Sequence, residues 1–342
     1  MSDLLWSVFL IVCALGFGLS VSGLLGWVER KQSAVLQDRI GANRASIFGL
    51  RLLGLFHPIA DALKTMTKED FEPPFALQPW HRLAPPLSLA FSMAALAALP
   101  YGDSIYFAGR SWSLQPVPLS AGVVFMLGML SIGVHGVVMA GYSSGSNYAL
   151  LGGLRGASQL IAYEVSMIAT LTAVLFLYGT LDLAAAARWQ AEHGWGILYQ
   201  PLGFILFLTA GAAETKRAPF DVPEGESEIV GYFIEYSGMK FVMFMMNDFI
   251  ETIVLAGLCT ALFLGAWHVP GLWVLPQPWL GLAQVGVFVA KTLAMIFLLM
   301  QVRWTFPRFR FDQLLHLGWK NLLPLSLANA FVTLWAVYLF SS

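Results

Sequence analysis

The stretch from Glu214 to Lys240 concentrates groups that can carry protons. It reads E-T-K-R-A-P-F-D-V-P-E-G-E-S-E-I-V-G-Y-F-I-E-Y-S-G-M-K and interrupts a series of long apolar segments. Its carboxylates are Glu214, Asp221, Glu224, Glu226, Glu228 and Glu235. Partly buried carboxylates that lie close together cannot all ionise, so the pKa of some of them rises toward neutrality. Such groups exchange protons at physiological pH, and the stretch therefore predicts a proton-handling site.

Three further acids lie inside apolar segments: Glu164, Asp248 and Glu251. An ionisable group within a membrane span costs at least about 2.5 kcal/mol unless it faces protein or water. Asp248 and Glu251 are three residues apart and lie on one face of a helix. Two interpretations are open for Glu164: a residue near the helix end that is paired with Arg155 or hydrogen-bonded, or a proton relay. Lys291, also within a span, either pairs with one of the acids or is itself a relay site.

These acids form a continuous path only if the helices that carry them are neighbours. Glu164 belongs to the fourth apolar segment, Glu214 ends the fifth, and Asp248 and Glu251 belong to the sixth. If the three segments pack together, we expect a proton path from the loop at 214–240 into the membrane. Its members are Glu164, Glu214, Glu228, Glu235, Asp248 and Glu251.

Composition indicates an integral membrane protein. The 342 residues are 58% hydrophobic and 11% charged, with a mean hydropathy of +0.70; soluble domains are nearer ~25% charged. The two cysteines, Cys13 and Cys259, lie in apolar runs without metal-ligand spacing, so no metal, haem or iron–sulfur site is expected. We find no dinucleotide or P-loop motif. Redox chemistry, if any, must take place on another chain.

Eight apolar stretches are long enough to cross a bilayer, which needs ~20 residues or ~17 at the short end. Such lengths exclude barrel strands and predict a bundle of eight transmembrane helices, with amphipathic helices in the cytoplasmic loops. The whole chain is expected to form one polytopic domain. The spans are about 4–28, 83–100, 119–142, 158–179, 197–213, 241–264, 280–301 and 322–340.

Basic residues orient the bundle. Sixteen of the 19 Lys and Arg residues lie in the loops that follow odd-numbered spans, and only Arg110 and Arg188 lie in the opposite loops. The positive-inside rule places the odd loops in the cytoplasm or a matrix-like equivalent, and both termini on the far side. The loops at 29–82 and 214–240 are therefore cytoplasmic.

Two cytoplasmic segments allow alternative interpretations. The helix that begins H-P-I-A-D-A-L-K at 57–64 either lies flat on the headgroups or borders an opening for an amphiphilic ligand. The last loop, V-R-W-T-F-P-R-F-R-F-D, is either a basic juxtamembrane belt or a surface for a quinone headgroup or an anionic partner.

Several blocks of the sequence together resemble one family. They are E-R-K-Q-S-A-V-L-Q-D-R-I-G at 29–41, H-P-I-A-D-A-L-K at 57–64, Y-A-L-L-G-G-L-R at 148–155, Q-L-I-A-Y-E at 159–164 and A-E-T-K-R-A-P-F-D-V-P-E-G-E-S-E at 213–228. In this order they resemble the H-type membrane subunit (NADH dehydrogenase subunit 1) of proton-translocating NADH–quinone oxidoreductase, respiratory complex I. The resemblance covers nearly the whole chain. The segment between Glu228 and Glu235 looks one residue shorter than the usual form.

The resemblance implies a subunit without a redox centre in a complex of the cell inner (plasma) membrane. Partner subunits hold the flavin (FMN) and iron–sulfur clusters, and this chain docks the peripheral arm, contacts small membrane subunits and borders the tunnel for its substrate, quinone. Glu164 and Glu214 fall on the buried glutamates of the family's proton path, and Glu228 and Glu235 resemble its continuation. The blocks that border the quinone cavity carry Arg30, Asp61, Lys64, Arg217, Asp221, Glu224 and Glu226.

Two other functions compete with this one. A related membrane subunit of a hydrogenase-type or other-donor energy-coupling complex would need no quinone, and the intact R-A-P-F-D-V-P-E-G-E-S-E block at 217–228 argues against it. A stand-alone secondary transporter often shows inverted repeats, and none is detectable here.

Overall fold

The computed structural model describes residues 2–107, 109–229, 231–271, 276–277 and 279–341. Long helices dominate it, as the apolar runs predict. In chain order the α-helices are α1 (Ser2–Leu36), α2 (His57–Thr67), α3 (Gln78–Ala97), α4 (Gly122–Ser143), α5 (Asn147–Tyr178), α6 (Leu183–His193), α7 (Gly196–Tyr199), α8 (Pro201–Glu214), α9 (Glu226–Ile229), α10 (Gly238–Phe263), α11 (Trp279–Thr305), α12 (Phe311–His316) and α13 (Leu323–Ser341).

Short elements complete the described chain. A π-helical turn over Leu317–Leu322 joins α12 to α13, and 3₁₀ turns occur at Leu52–Gly54 and Phe233–Glu235. An antiparallel hairpin, which the sequence analysis did not predict, pairs β1 (Ser104–Phe107) with β2 (Arg110–Ser113).

Six described segments are long and apolar enough to span a membrane: 4–36, 122–143, 147–178, 238–263, 279–305 and 311–339. They confirm an integral membrane protein of the all-α class. The predicted second and fifth spans correspond to α3 and α8, which do not reach these criteria. The helix α8 has only 14 residues, or about 21 Å of length, and α3 begins with polar residues such as His81 and Arg82. The count of eight spans thus stays a prediction.

The fourth span begins earlier than predicted. Its helix, α5, starts at Asn147 rather than near 158, so that Arg155 belongs to the helix and not to a loop. The glycines at 152, 153 and 156 resemble loop residues in sequence, but they serve close packing. A Cβ added to Gly152 would lie 3.2 Å from the backbone of Pro223 and of Tyr232. The glycines thus bring the acidic loop directly against the helix.

Connecting segments gather at two ends of the bundle. At the hairpin end, the Trp6 indole donates to the Ser113 carbonyl, and Arg188 pairs with Asp103 at 2.8 Å. At the other end, the loop segments 37–77, 215–237 and 306–310 meet. There the hydroxyl of Ser237 donates to the Glu69 carbonyl. We call this second end the acidic end.

The contact between α4 and α5 is tight enough to test. A Cβ at Gly141 would lie 2.7 Å from the Ala149 carbonyl oxygen and 3.1 Å from the Gly153 Cα, both backbone atoms that cannot rotate away. We expect Gly141→Ala to destabilise the chain by about 1–3 kcal/mol, because helix backbones must move apart. Thermal unfolding in detergent measures this. Gly128→Ala on the same helix is the matched control, since nothing lies within 4 Å of its Cβ position; an equal loss in both variants would contradict a role of this contact in packing.

A second test concerns how the first loop is held at the acidic end. Glu72 accepts hydrogen bonds from Arg82 at 2.7 Å and Lys240 at 2.6 Å. These two partners, Arg82 first, lower the pKa of Glu72 from 4.5 to about 2. Because the folded-state pKa is depressed, the attachment is complete above the unfolded value and is lost as pH falls toward the folded value.

We therefore expect the loop to detach between about pH 4.5 and pH 2. A spin label on a Phe75→Cys variant, made with Cys13→Ser, would report growing mobility over this range. In a background that also carries Glu72→Gln, the label should be mobile at every pH tested. Unchanged mobility of the label in the Glu72→Gln background would show that other contacts hold the loop.

Candidate functional site

A buried lysine lies at the centre of the acidic end. The chain leaves α8 through a turn in which Lys216 has a φ of 52°, an unusual left-handed conformation for a residue other than glycine. The turn directs the side chain inward, where only 1% of the residue is exposed. Its Nζ lies 3.1 Å from Asp248 Oδ1 and 3.1 Å from Glu251 Oε2. A buried charge needs such partners, because desolvation is otherwise too costly.

The alternative in which Lys291 pairs with an acid of the sixth span is wrong. Lys291 Nζ donates to the carbonyl oxygens of Leu264, Ala266 and His268 at 2.6, 3.0 and 2.7 Å. It thereby neutralises the carbonyl-rich C-terminus of α10 and its following turn, a favourable position for a cation. Lys216 fills the role that was expected of Lys291.

Polar contacts extend from the ion pair of Lys216 with Asp248 and Glu251 toward α3. Asn247 Nδ2 donates to Glu251 Oε1 at 2.8 Å, and the hydroxyl of Ser92 donates to Asn247 Oδ1 at 2.7 Å. All of these residues are buried. The polar contacts therefore reach from α10 into the core of the bundle.

The predicted proton path requires that the helices carrying its acids be neighbours. The structure meets this condition, because α8 packs against both α5 and α10. Glu214, at the end of α8, is buried, and its Oε2 has no hydrogen-bond partner within the described chain. Its charge interacts with those of Glu251 and Glu164. The structure thus brings three of the predicted acids together across three helices, with Asp248 beside them.

Glu164 and Glu228 occupy different environments. Glu164 is half-buried on α5 and forms no ion pair with another described residue. The predicted alternative, a pair with Arg155, is wrong: Arg155 instead binds the exposed Glu228 at 2.9 Å. Of these two acids, Glu228 therefore lies at the surface, and Glu164 lies half-buried on α5. Glu235 is half-buried in the 3₁₀ turn Phe233–Glu235 and is not among the acids grouped around Lys216.

A cavity of about 250 Å³ adjoins the buried lysine. Aromatic and thioether side chains of α10 and the preceding 3₁₀ turn line it, together with charged groups from α1, α10, α11 and the loop after α8. Its charged lining residues are Glu29, Lys216, Arg217, Asp221, Glu224, Asp248 and Arg303, and its apolar ones include Phe233, Phe241, Phe244 and Met245. A mixed lining of this kind suits a ligand with an apolar body and a polar head.

Glu29 organises the arginines of the cavity, although the sequence analysis did not select it. Its carboxylate accepts from Arg217 at 3.3 Å and also binds Arg303. The Arg217 guanidinium lies 3.9 Å from the centre of the Phe249 ring, within cation–π distance. Glu29 is the first residue of the E-R-K block, and that position could have identified it as a cavity residue from the sequence. For Arg303, the sequence offered only its place in a basic loop.

Three of the predicted cavity residues lie elsewhere. Arg30 pairs with Asp61 at 2.7 Å, and both are roughly half-exposed. Lys64 is exposed on α2. None of the three belongs to the described lining of the cavity, so their predicted role there stays a prediction. The side chain of Glu226 lies outside the described part of the structure.

Burial changes the proton affinity of the loop carboxyls. It raises the pKa of Glu224 well above its usual value, and the charge of Asp248 adds to this rise. Burial also raises the pKa of Asp221, opposed by the guanidinium of Arg308, which lies 2.6 Å from its carboxylate. For Lys216, burial acts to lower the pKa, but Asp248 and Glu251 outweigh it and raise the pKa well above the ordinary lysine value. Two carboxyls whose pKa values are raised, Glu224 and Asp221, thus line the same cavity as a lysine whose pKa is also raised.

The fold and this site define a class: a polytopic helical membrane protein in which a charged cavity meets a line of buried acids. Comparison with known proteins narrows the class. A sequence profile described as NADH dehydrogenase matches residues 8–334. The chain therefore belongs to the NADH dehydrogenase family.

Individual relatives carry the name of one component in that family, the H subunit of NADH-quinone oxidoreductase. The H 1 subunit of Geobacter metallireducens is 44% identical over 322 residues, which cover 94% of this chain and 93% of the relative. The H subunit of Protochlamydia amoebophila is 40% identical and covers 92% of each chain, and that of Flavobacterium psychrophilum is 38% identical and covers 90% of each. These matches confirm the family that the sequence blocks indicated.

Proposed function

We propose that this chain is the H-type membrane subunit of a NADH–quinone oxidoreductase, in which it borders the quinone tunnel and couples quinone reduction to proton translocation. One observation carries the proposal: the cavity and the acids share residues. Lys216 and Asp248 line the cavity and also form the buried ion-pair group. A change of charge in the cavity therefore acts directly on the acids that lead into the bundle.

The cavity suits a quinone. Its aromatic side chains can contact an apolar ring and tail. The guanidinium groups of Arg217 and Arg303 can stabilise the negative charge that develops on the quinone oxygens during reduction. The flavin and iron–sulfur clusters that deliver electrons belong, in this proposal, to partner subunits of the peripheral arm. Within the described residues no group of three or more His, Cys, Asp or Glu side chains is arranged to hold a metal ion.

The acidic end is the docking face for that arm. Its first loop exposes large apolar side chains, among them Phe48, Leu53, Phe71 and Phe75. Exposed apolar groups interspersed with charges mark surfaces that partners cover. Small membrane subunits would contact the apolar flanks of the bundle, which lipid otherwise covers.

The chain crosses the cell inner (plasma) membrane eight times in this proposal. The contacts at the two ends support the count, because successive connections alternate between the hairpin end and the acidic end. Such alternation requires α3 and the α7–α8 pair to cross together with the six longer segments. Both termini then lie on the non-cytoplasmic side, at the hairpin end, and the acidic end faces the cytoplasm.

Purification of the tagged chain from its native membrane tests the proposal. We expect it to elute with flavin- and iron–sulfur-containing subunits and to support NADH-driven reduction of a short-chain quinone. A preparation in which hydrogen or formate but not NADH drives electron transfer would favour the other-donor complex. A chain that elutes alone and transports a solute would overturn both assignments.

A further inference from the structure

The ammonium of Lys216 has acidic side chains on two sides. On one side are the buried carboxylates of Asp248 and Glu251. On the other side Glu224 lines the cavity, and its carboxyl also interacts electrostatically with the lysine. The hydroxyl of Tyr232 donates to Glu224 Oε1 at 3.4 Å. Lys216 thus lies at the boundary between the cavity and the interior.

Lys216 is shared between the two carboxylates of the interior pair. Asp248 Oδ1 and Glu251 Oε2 both face the ammonium at 3.1 Å. Glu251 is held by Asn247 through its other oxygen. A lysine ammonium acts as a compact point charge on a flexible stem. Since Lys216 also lines the cavity, the same ammonium can turn from the interior pair toward an anion in the cavity.

Because Lys216 and its two partners are shielded from water, a shift of the lysine strongly affects the energy of the carboxylates. Lys216, Glu251 and Asp248 expose 1%, 6% and 8% of their surfaces. A buried carboxylate that loses its cation is strongly destabilised, and proton uptake is its simplest relief. The proton is available because the cavity is polar and large enough to hold water beside Asp248.

We propose that Lys216 is a positioning residue that keeps both Asp248 and Glu251 ionised, and that a reduced, negatively charged quinone in the cavity competes for it. When the ammonium moves toward that anion, one of the two carboxylates takes up a proton from the aqueous phase, relayed through cavity water, so that no hydroxide stays in the cavity. Lys216 keeps its own proton throughout. This inference rests on the proposed quinone function, and it names the group that converts a charge in the cavity into a proton on the interior acids.

Infrared difference spectroscopy on the purified complex tests the inference. In the wild-type complex, reduction of bound short-chain quinone should produce the carbonyl band of a protonated carboxylic acid. That band should be absent from Asp248→Asn/Glu251→Gln. In Lys216→Met the band should be present before reduction, because the cation is already missing. Proton translocation per quinone reduced should then fall about tenfold.

Three variants keep the result interpretable. Lys216→Arg retains the cation and should behave as wild type before reduction. Lys240→Met is the matched control, since Lys240 also bridges two carboxylates, Asp70 and Glu72, but at the surface, where water stabilises them; it should give no band before reduction. If Lys216→Met does not assemble but Lys216→Met/Asp248→Asn/Glu251→Gln does, the pairing is supported, because the neutral set leaves no buried charge.

Two outcomes would overturn the inference. One is a Lys216→Met complex that assembles, shows no protonated carboxyl before reduction and keeps its proton stoichiometry. The other is failure of the neutral triple variant to assemble as well, which would show that Lys216 serves only the fold. A wild-type complex that does not reduce quinone would refute the proposed function instead, and the unreduced spectrum of Lys216→Met would still test the ion pair.

Discussion

Replacement of Glu214 by Gln should leave the complex assembled and lower coupled quinone reduction at least about tenfold, the scale on which proton-transfer groups contribute. Gln preserves the size and the polar character of the side chain but cannot exchange a proton. Glu214 is buried at the junction of α5, α8 and α10, and its Oε2 has no hydrogen-bond partner within the described chain. The amide is therefore accommodated, while the proposed proton path loses its central member.

Glu164→Gln should also lower coupled quinone reduction, because the carboxyl of Glu164 on α5 interacts electrostatically with that of Glu214. NADH-driven quinone reduction and proton uptake into sealed vesicles measure both variants. Glu192→Gln, at an exposed position on α6 at the hairpin end, is the control and should behave as wild type. Wild-type turnover and pumping in both Glu214→Gln and Glu164→Gln would remove these acids from the path.

Arg217→Ala should reduce kcat/KM for quinone by about tenfold to a hundredfold. The Arg217 guanidinium lies against the ring of Phe249 and pairs with Glu29 while it lines the cavity. In the proposed function, its loss removes a positive group that stabilises the negative charge of the reduced quinone, and groups of this kind have effects of that size. It also leaves Glu29 with Arg303 alone.

Steady-state kinetics with a short-chain quinone measure this change. Arg217→Lys should recover only part of the rate, because an ammonium lacks the planar, stacked geometry of guanidinium. Arg110→Ala, at an exposed position of the hairpin, removes an arginine without touching the cavity. An apparent KM and rate in Arg217→Ala equal to those of the Arg110→Ala control would exclude a role for Arg217 in the cavity.

The sequence predicted the helices better than it predicted their ends. Long apolar runs fix a helical bundle because no other open structure satisfies its backbone in lipid. The start of α5 was misplaced because glycine has the same local signature in a loop and in a close helix contact. Only the neighbouring Pro223 and Tyr232 show which of these applies at Gly152.

The acids of the path were visible in the sequence, but their partners were not. Charged residues in apolar segments stand out at once, and Glu214, Asp248 and Glu251 do lie together. Which lysine serves them depends on how the chain turns after α8. The left-handed conformation of Lys216 sends its side chain back into the bundle, whereas Lys291 meets the carbonyls that end α10. Neither direction is encoded in local spacing.

The amide of Gln159 joins two parts of this site mechanically. Its Nε2 donates both to the Ala213 carbonyl at 2.7 Å, just before Glu214, and to the Phe220 carbonyl at 2.8 Å, just before Asp221. The helix α5 therefore holds the acidic turn at two points, one before and one after Lys216. Any displacement of that turn must either break these two hydrogen bonds or be shared by the Gln159 side chain. Because Glu164 lies on the same helix, the amide ties the backbone on both sides of the buried cation to the element that carries an acid outside the turn.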